Sequence, residues 1–112
     1  MTWEQIDNGS TRGTRGSEEG IVECDEEYST SARITLEHDC TIAPFAITSG
    51  VYGWMFHTCY FSKRDEACLE FDAMKSKLAE IVALIPESND PDSEAKCKLV
   101  VDAIQAFVSR FP

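Results

Sequence analysis

The sequence has few basic residues, no long apolar run and no closely spaced pair of cysteines. Its 112 residues contain 10 Lys and Arg against 20 Asp and Glu, so the net charge is −10. Nucleic-acid binding depends on basic groups that displace counterions from phosphates, which makes DNA or RNA an unfavourable partner. No segment reaches the roughly 18 to 20 apolar residues that a membrane-spanning helix needs. We therefore predict no nucleic-acid partner and no membrane partner.

The spacing of the cysteines argues against the zinc and redox sites that use a Cys-x-x-Cys pair. They stand at positions 24, 40, 59, 68 and 97, and none belongs to a Cys-x-x-Cys motif. The N-terminal Met1-Thr-Trp-Glu has neither the basic region nor the apolar region of a signal peptide. Together these features predict reduced thiols and a cytoplasmic protein.

The length is typical of one domain. Residues 7–20 contain four glycines and no apolar side chain, so burial there cannot offset the entropy lost on ordering. We predict a flexible polar lead over residues 1–20 and a single domain over residues 21–112.

Hydrophobic periodicity changes once along the chain. Period-two patterns predict strands near residues 21–27 and 30–38, a short strand over 45–49, and a strand over 51–61 after a turn or bulge at Gly50. Helical patterns follow over 63–85, with a capping box at Ser62, and again after Asp90 as N-cap. The predicted fold is α+β, a three- to four-stranded mainly antiparallel sheet followed by an antiparallel helix hairpin packed on one face.

The aromatic run between residues 51 and 61 is the strongest candidate for a functional surface. If it is a strand, one face carries Tyr52, Trp54, Phe56 and Tyr60, while the other carries His57. Helices cover only one face of a sheet, so the second needs the N-terminal segment, a ligand or another protein chain. These five residues are the predicted ligand or interface residues.

Two His-x-Cys motifs, His38-Asp-Cys40 and His57-Thr-Cys59, form the one candidate metal set. Two imidazoles and two thiolates on neighbouring strands suit a tetrahedral zinc ion. Cysteine is also a common small core residue, and that interpretation is favoured, so we predict no metal and no cofactor. The same residues include Cys–His pairs for nucleophilic catalysis, but nothing in the sequence selects one, and no catalytic residue is predicted.

The sequence favours a non-enzymatic protein-interaction module, homodimeric through the aromatic sheet face. A variant of this hypothesis is an acidic inhibitor or immunity-type protein that binds a basic partner through the solvated acidic residues Glu23, Asp25, Glu26 and Glu27. The alternative is a small-molecule-binding protein or minor enzyme with a pocket between sheet and helices, using His57, Tyr52 and Trp54.

Overall fold

A computed structural model describes residues 2–112 and confirms the α+β class. Five strands form one antiparallel sheet in which each strand pairs with its neighbours in the chain. Two helices follow and pack on the sheet. The elements are β1 (Trp3–Gln5), β2 (Ile21–Tyr28), β3 (Ala32–His38), β4 (Phe45–Val51), β5 (Met55–Phe61), α1 (Arg64–Leu84) and α2 (Ser93–Arg110).

Alternation along the strands gives the sheet two different faces. On the face toward the helices, which we call the helix face, Leu36 and Ile47 lie in one cross-strand row with Cys59. The buried core comprises Ala32, Ile34, Leu36, Ile47, Val51 and Cys59 from the sheet, Ala67, Phe71, Met74, Leu78 and Ile81 from α1, and Val100, Phe107 and Phe111 from α2 and the residue after it. The opposite, open face carries a row of aligned polar residues, Asp25, Thr35, Thr48 and Thr58.

The turn between β4 and β5 lies later than predicted. Gly50 remains within β4, and the chain reverses at Tyr52–Trp54. Gly53 adopts φ +81°, and the Trp54 amide donates to the Val51 carbonyl over 2.9 Å. A glycine tolerates this left-handed conformation without steric cost, so the required positive φ selects Gly53.

The helices begin close to their predicted positions but without the predicted caps. Lys63 is the N-cap of α1 and makes no side-chain capping hydrogen bond, so the capping box at Ser62 is not formed. Asp90 instead stabilises the turn before α2, because its carboxylate accepts from the Asp92 amide over 2.8 Å. Within residues 2–112, no helix combines the length and apolar character needed to cross a membrane.

The N-terminal segment, predicted as a flexible lead, contains regular structure and contacts the sheet. Trp3 lies in β1, and its ring centroid is 5.2 Å from that of Tyr28. Farther along, the Gly13 amide donates to the Val22 carbonyl over 2.8 Å, and the Val22 amide donates to Thr14 over 2.9 Å. β1 is the fifth strand beyond the predicted three or four, and residues 3–20 therefore pack on the same sheet as the rest of the chain.

Glu37 explains how this segment is held. It lies on β3 with no exposed surface, and its carboxylate accepts from the Glu18 and Gly20 amides, each at 3.1 Å for the closer oxygen. A Cβ atom at Gly16 would lie 2.3 Å from this carboxylate, and one at Gly20 would lie 2.6 Å from Cys40 Sγ. The two glycines allow the backbone to approach Glu37 closely. We define residues 10–20 as the N-terminal loop.

Candidate functional site

Three aromatic side chains form an exposed surface at the β4–β5 end of the open face. Phe56 is 76% exposed, Tyr52 47% and Tyr60 40%. We call these three residues the aromatic surface. Trp54, predicted to join them, is partly buried and packs against the core from the turn. His57 lies on the helix face, so the structure separates it from the aromatic surface.

Hydrogen bonds hold the two tyrosines of this surface in position. The Tyr52 hydroxyl donates to a Glu27 carboxylate oxygen over 2.7 Å, and the Tyr60 hydroxyl donates to Glu18 over 2.5 Å. Burial and the Glu27 carboxylate raise the pKa of Tyr52 to about 12. The hydrogen bond to Glu18 likewise raises the pKa of Tyr60. Both hydroxyls therefore remain protonated donors at neutral pH, and their hydrogen bonds restrain the two rings.

β5 is a sheet edge with unusual composition. It pairs with β4 on one side and with no other strand among residues 2–112. Its seven residues, Met-Phe-His-Thr-Cys-Tyr-Phe, include no charged residue of the Asp, Glu, Lys or Arg type and no proline. Natural edge strands are commonly protected by lysine, proline or short length, because their free N–H and C=O groups pair with other chains. The opposite edge, β1, is protected in this way by having only three residues.

His57 and Cys59 make a structural contact on the helix face. His57 Nε2 lies 2.6 Å from the Phe111 carbonyl oxygen, and Cys59 Sγ donates to the same oxygen over 3.1 Å. A carbonyl only accepts, so His57 carries its proton on Nε2. Burial raises the pKa of Cys59 to about 11. The thiol is thus protonated at neutral pH, and the pair lacks the activated thiolate that nucleophilic catalysis needs.

The two His-x-Cys motifs do not meet. His38 ends β3 and His57 lies in β5, with β4 between these strands. His38 Nδ1 is 2.7 Å from a Glu23 carboxylate oxygen, so it is already engaged. Among residues 2–112, no three His, Cys, Asp or Glu side chains lie close enough together to hold a metal ion. The alternative zinc set of His38, Cys40, His57 and Cys59 is therefore not assembled.

The acidic residues of β2, predicted as a solvated face, have partners within the chain. Asp25 is 2% exposed, and Arg33 donates two hydrogen bonds to its carboxylate, at 2.9 and 2.7 Å. Burial by itself raises the pKa of Asp25, but the hydrogen bonds from Arg33 and Thr35 lower it overall. Further ion pairs join Glu23 to Arg64 and Glu26 to Lys75. These carboxylates are therefore paired with basic side chains of the same chain.

An open groove of about 710 Å³ runs between the N-terminal loop and the aromatic surface. Its floor includes Thr35, Thr48 and the Asp25–Arg33 pair, and its wall includes Tyr52 and Phe56. His57, the residue predicted to line a pocket between sheet and helices, lies there with its ring centroid 6.5 Å from that of Phe107 and its Nε2 bonded to the Phe111 carbonyl. Sequence reasoning missed Thr35 and Arg33, although their parity, opposite to Ile34 and Leu36, is the signal that places them on the other face.

The chain gives no significant match to a protein-family model, to a curated protein or to a solved structure.

Proposed function

We propose that this chain is a non-enzymatic protein-interaction module that binds through β5 and the aromatic surface. The observation that carries the proposal is the unprotected edge of β5, which is seven residues long, has no Asp, Glu, Lys or Arg, and carries the exposed rings of Phe56 and Tyr60. Strand addition at such an edge provides main-chain hydrogen bonds, and alternate side chains provide specificity. Aromatic residues are enriched where protein interfaces are buried.

Several properties of the site support binding over catalysis. The Cys59 thiol has a raised pKa and donates to a backbone carbonyl. His57 is bonded to the same carbonyl and lies on the face opposite the groove. Hydrogen bonds instead restrain two of the three rings of the aromatic surface, those of Tyr52 and Tyr60, and restrained side chains lose less entropy on binding.

The proposed partner is either a second copy of the chain or a basic protein. The net charge of −10 supports the basic partner, but the ion pairs of Glu23, Asp25 and Glu26 leave less unpaired acidic surface on β2 than the sequence predicts. We also propose a cytoplasmic location, which is supported by five free cysteines.

Site-specific photo-crosslinking tests the interaction module. A photoreactive phenylalanine analogue at position 56 should give a protein adduct in the producing cell, because that side chain would lie in the interface. The matched control places the analogue at Leu69, which is 72% exposed on α1. Equal adduct yields at the two positions would contradict the proposal. The adduct mass distinguishes a second copy from another protein.

A small-molecule-binding protein is the second candidate, favoured by the groove. Hydroxyl groups on its floor and aromatic rings on its wall suit a polar ligand with one apolar face, such as a mono- or disaccharide. A sugar that raises the melting temperature of the wild-type protein, but not of Phe56→Ser, would support this function. A panel of sugars without effect on the wild type would contradict it.

A further inference from the structure

The sequence of β5 is self-complementary about its central residue. Thr58 stands in the middle of Met55–Phe61, and Phe56 and Tyr60 flank it at equal distance on the open face. An antiparallel pairing of two identical strands about Thr58 opposes Phe56 to Tyr60 of the second copy, twice. The same register opposes Met55 to Phe61 and uses all seven residues of both strands.

We infer that the partner of β5 is a second copy of the chain, paired antiparallel about a two-fold axis beside Thr58. This inference rests on the proposed interaction module and specifies its partner and its register. Two five-stranded sheets then become one continuous antiparallel sheet of ten strands. Aromatic pairs directly opposite one another are among the stabilising cross-strand pairs of such ladders.

Neighbouring registers fit less well. An axis beside His57 opposes Phe56 to Thr58, and an axis beside Cys59 opposes Phe56 to Ser62. Each leaves the 76% exposed Phe56 ring without an aromatic partner. Of these three axes, the one beside Thr58 gives both Phe56 and Tyr60 an aromatic partner within β5 while pairing all seven residues of the strand.

The net charge distinguishes the two candidate partners, a second copy and a basic protein, by their response to salt. Each chain carries −10, yet β5 has no Asp, Glu, Lys or Arg. Two copies therefore repel at long range and attract at an uncharged contact, so added salt should strengthen the dimer by screening the repulsion. Binding to a basic protein should weaken with salt, because its attraction is itself electrostatic.

A charge-complementation experiment tests the register. Phe56→Glu and Tyr60→Lys should each raise the dissociation constant of the homodimer about tenfold or more, since each change removes two aromatic pairs. When the two variants are mixed, one carboxylate faces one ammonium group and one Phe56–Tyr60 pair is kept. Sedimentation velocity should show a heterodimer tighter than either variant homodimer. Leu69→Glu, a comparable exposed change on α1, should leave association unchanged.

Three results would overturn the inference. Wild-type protein that stays monomeric at about 100 μM at both low and high salt would exclude a second copy as the partner. If position 56 then crosslinks to another protein, the proposed interaction module is still supported. Single variants that dimerise like the wild type, or a mixture no tighter than its components, exclude the Thr58 register. If a variant misfolds, hydrogen exchange on the unmodified chain tests the same pairing. Amides of β5 should exchange more slowly at 100 μM than at 1 μM, and equal rates would contradict the pairing.

Discussion

Replacing Glu37 should release the N-terminal loop from the sheet. The buried carboxylate accepts from two amides of the loop, those of Glu18 and Gly20. A hydrogen bond to a charged group contributes about 1.5–3 kcal/mol, and a neutral one about 0.5–1.5 kcal/mol. Glu37→Ala removes both hydrogen bonds, which lowers the free energy of unfolding, but it also removes the cost of burying a carboxylate. We expect a net decrease of about 3 kcal/mol in the free energy of unfolding. At this chain length that corresponds to about 13 °C in melting temperature.

Limited proteolysis provides the local assay for the same change. Arg12 and Arg15 lie in the N-terminal loop and are exposed, but trypsin needs a mobile backbone as well as an accessible side chain. Cleavage after these two residues should be faster in Glu37→Ala, with Glu37→Gln intermediate because its amide oxygen still accepts one bond. Glu87→Gln, at an exposed position between the helices, is the matched control for charge. A Glu37→Ala protein that melts within about 2 °C of the wild type, with unchanged cleavage, would refute this account of the loop.

Three further predictions concern Asp25, the cysteines and metal. The folded-state pKa of Asp25 is lowered, so its stabilising effect is complete above its unfolded pKa, about 3.9, and is lost as the pH falls through the folded value. Asp25→Asn should therefore lower the free energy of unfolding by about 2 kcal/mol at pH 7. It should also reduce the loss of stability between neutral and acid pH. Asp72→Asn, at an exposed position, should change neither quantity. With iodoacetamide at pH 8, the exposed Cys68 should be alkylated well before Cys59. Cys59 is 1% exposed, and its pKa is raised to about 11. Equal alkylation rates in peptide mass spectrometry would contradict the burial of Cys59. Purified protein should contain far less than one equivalent of zinc, and chelation should leave its melting unchanged; stoichiometric zinc in elemental analysis would reverse that expectation.

The strands and helices could be predicted because each depends on a local repeat. The alternation of Ile34 and Leu36 with polar neighbours predicts β3, and the apolar stripe from Ala67 to Ile81 predicts α1. Turn positions depend on one backbone angle, and two glycines, Gly50 and Gly53, were available near the end of β4. The sequence alone does not indicate which of them adopts positive φ.

The N-terminal loop and the candidate site were harder to predict because both depend on long-range contacts. The loop contains no apolar residue that would indicate burial, and its anchor, Glu37, lies 17 residues beyond Gly20. Of the predicted surface, Phe56 and Tyr60 are exposed on one face, as strand parity implies, and Tyr52 joins them from the turn. Trp54 differs because it belongs to the turn, where parity no longer applies, and His57 differs because its parity faces the helices.

The chain order of the sheet has a consequence for synthesis. All five strands are complete at Phe61, whereas the residues that cover the helix face extend to Phe111, whose carbonyl meets His57 and Cys59. At about 5–20 residues per second, a ribosome needs about 3 to 10 s to add that remainder. A sheet that forms before those residues dock has its apolar face bare and its β5 edge open. The growing chain is thus most prone to aggregation after its strands are made and before its helices dock.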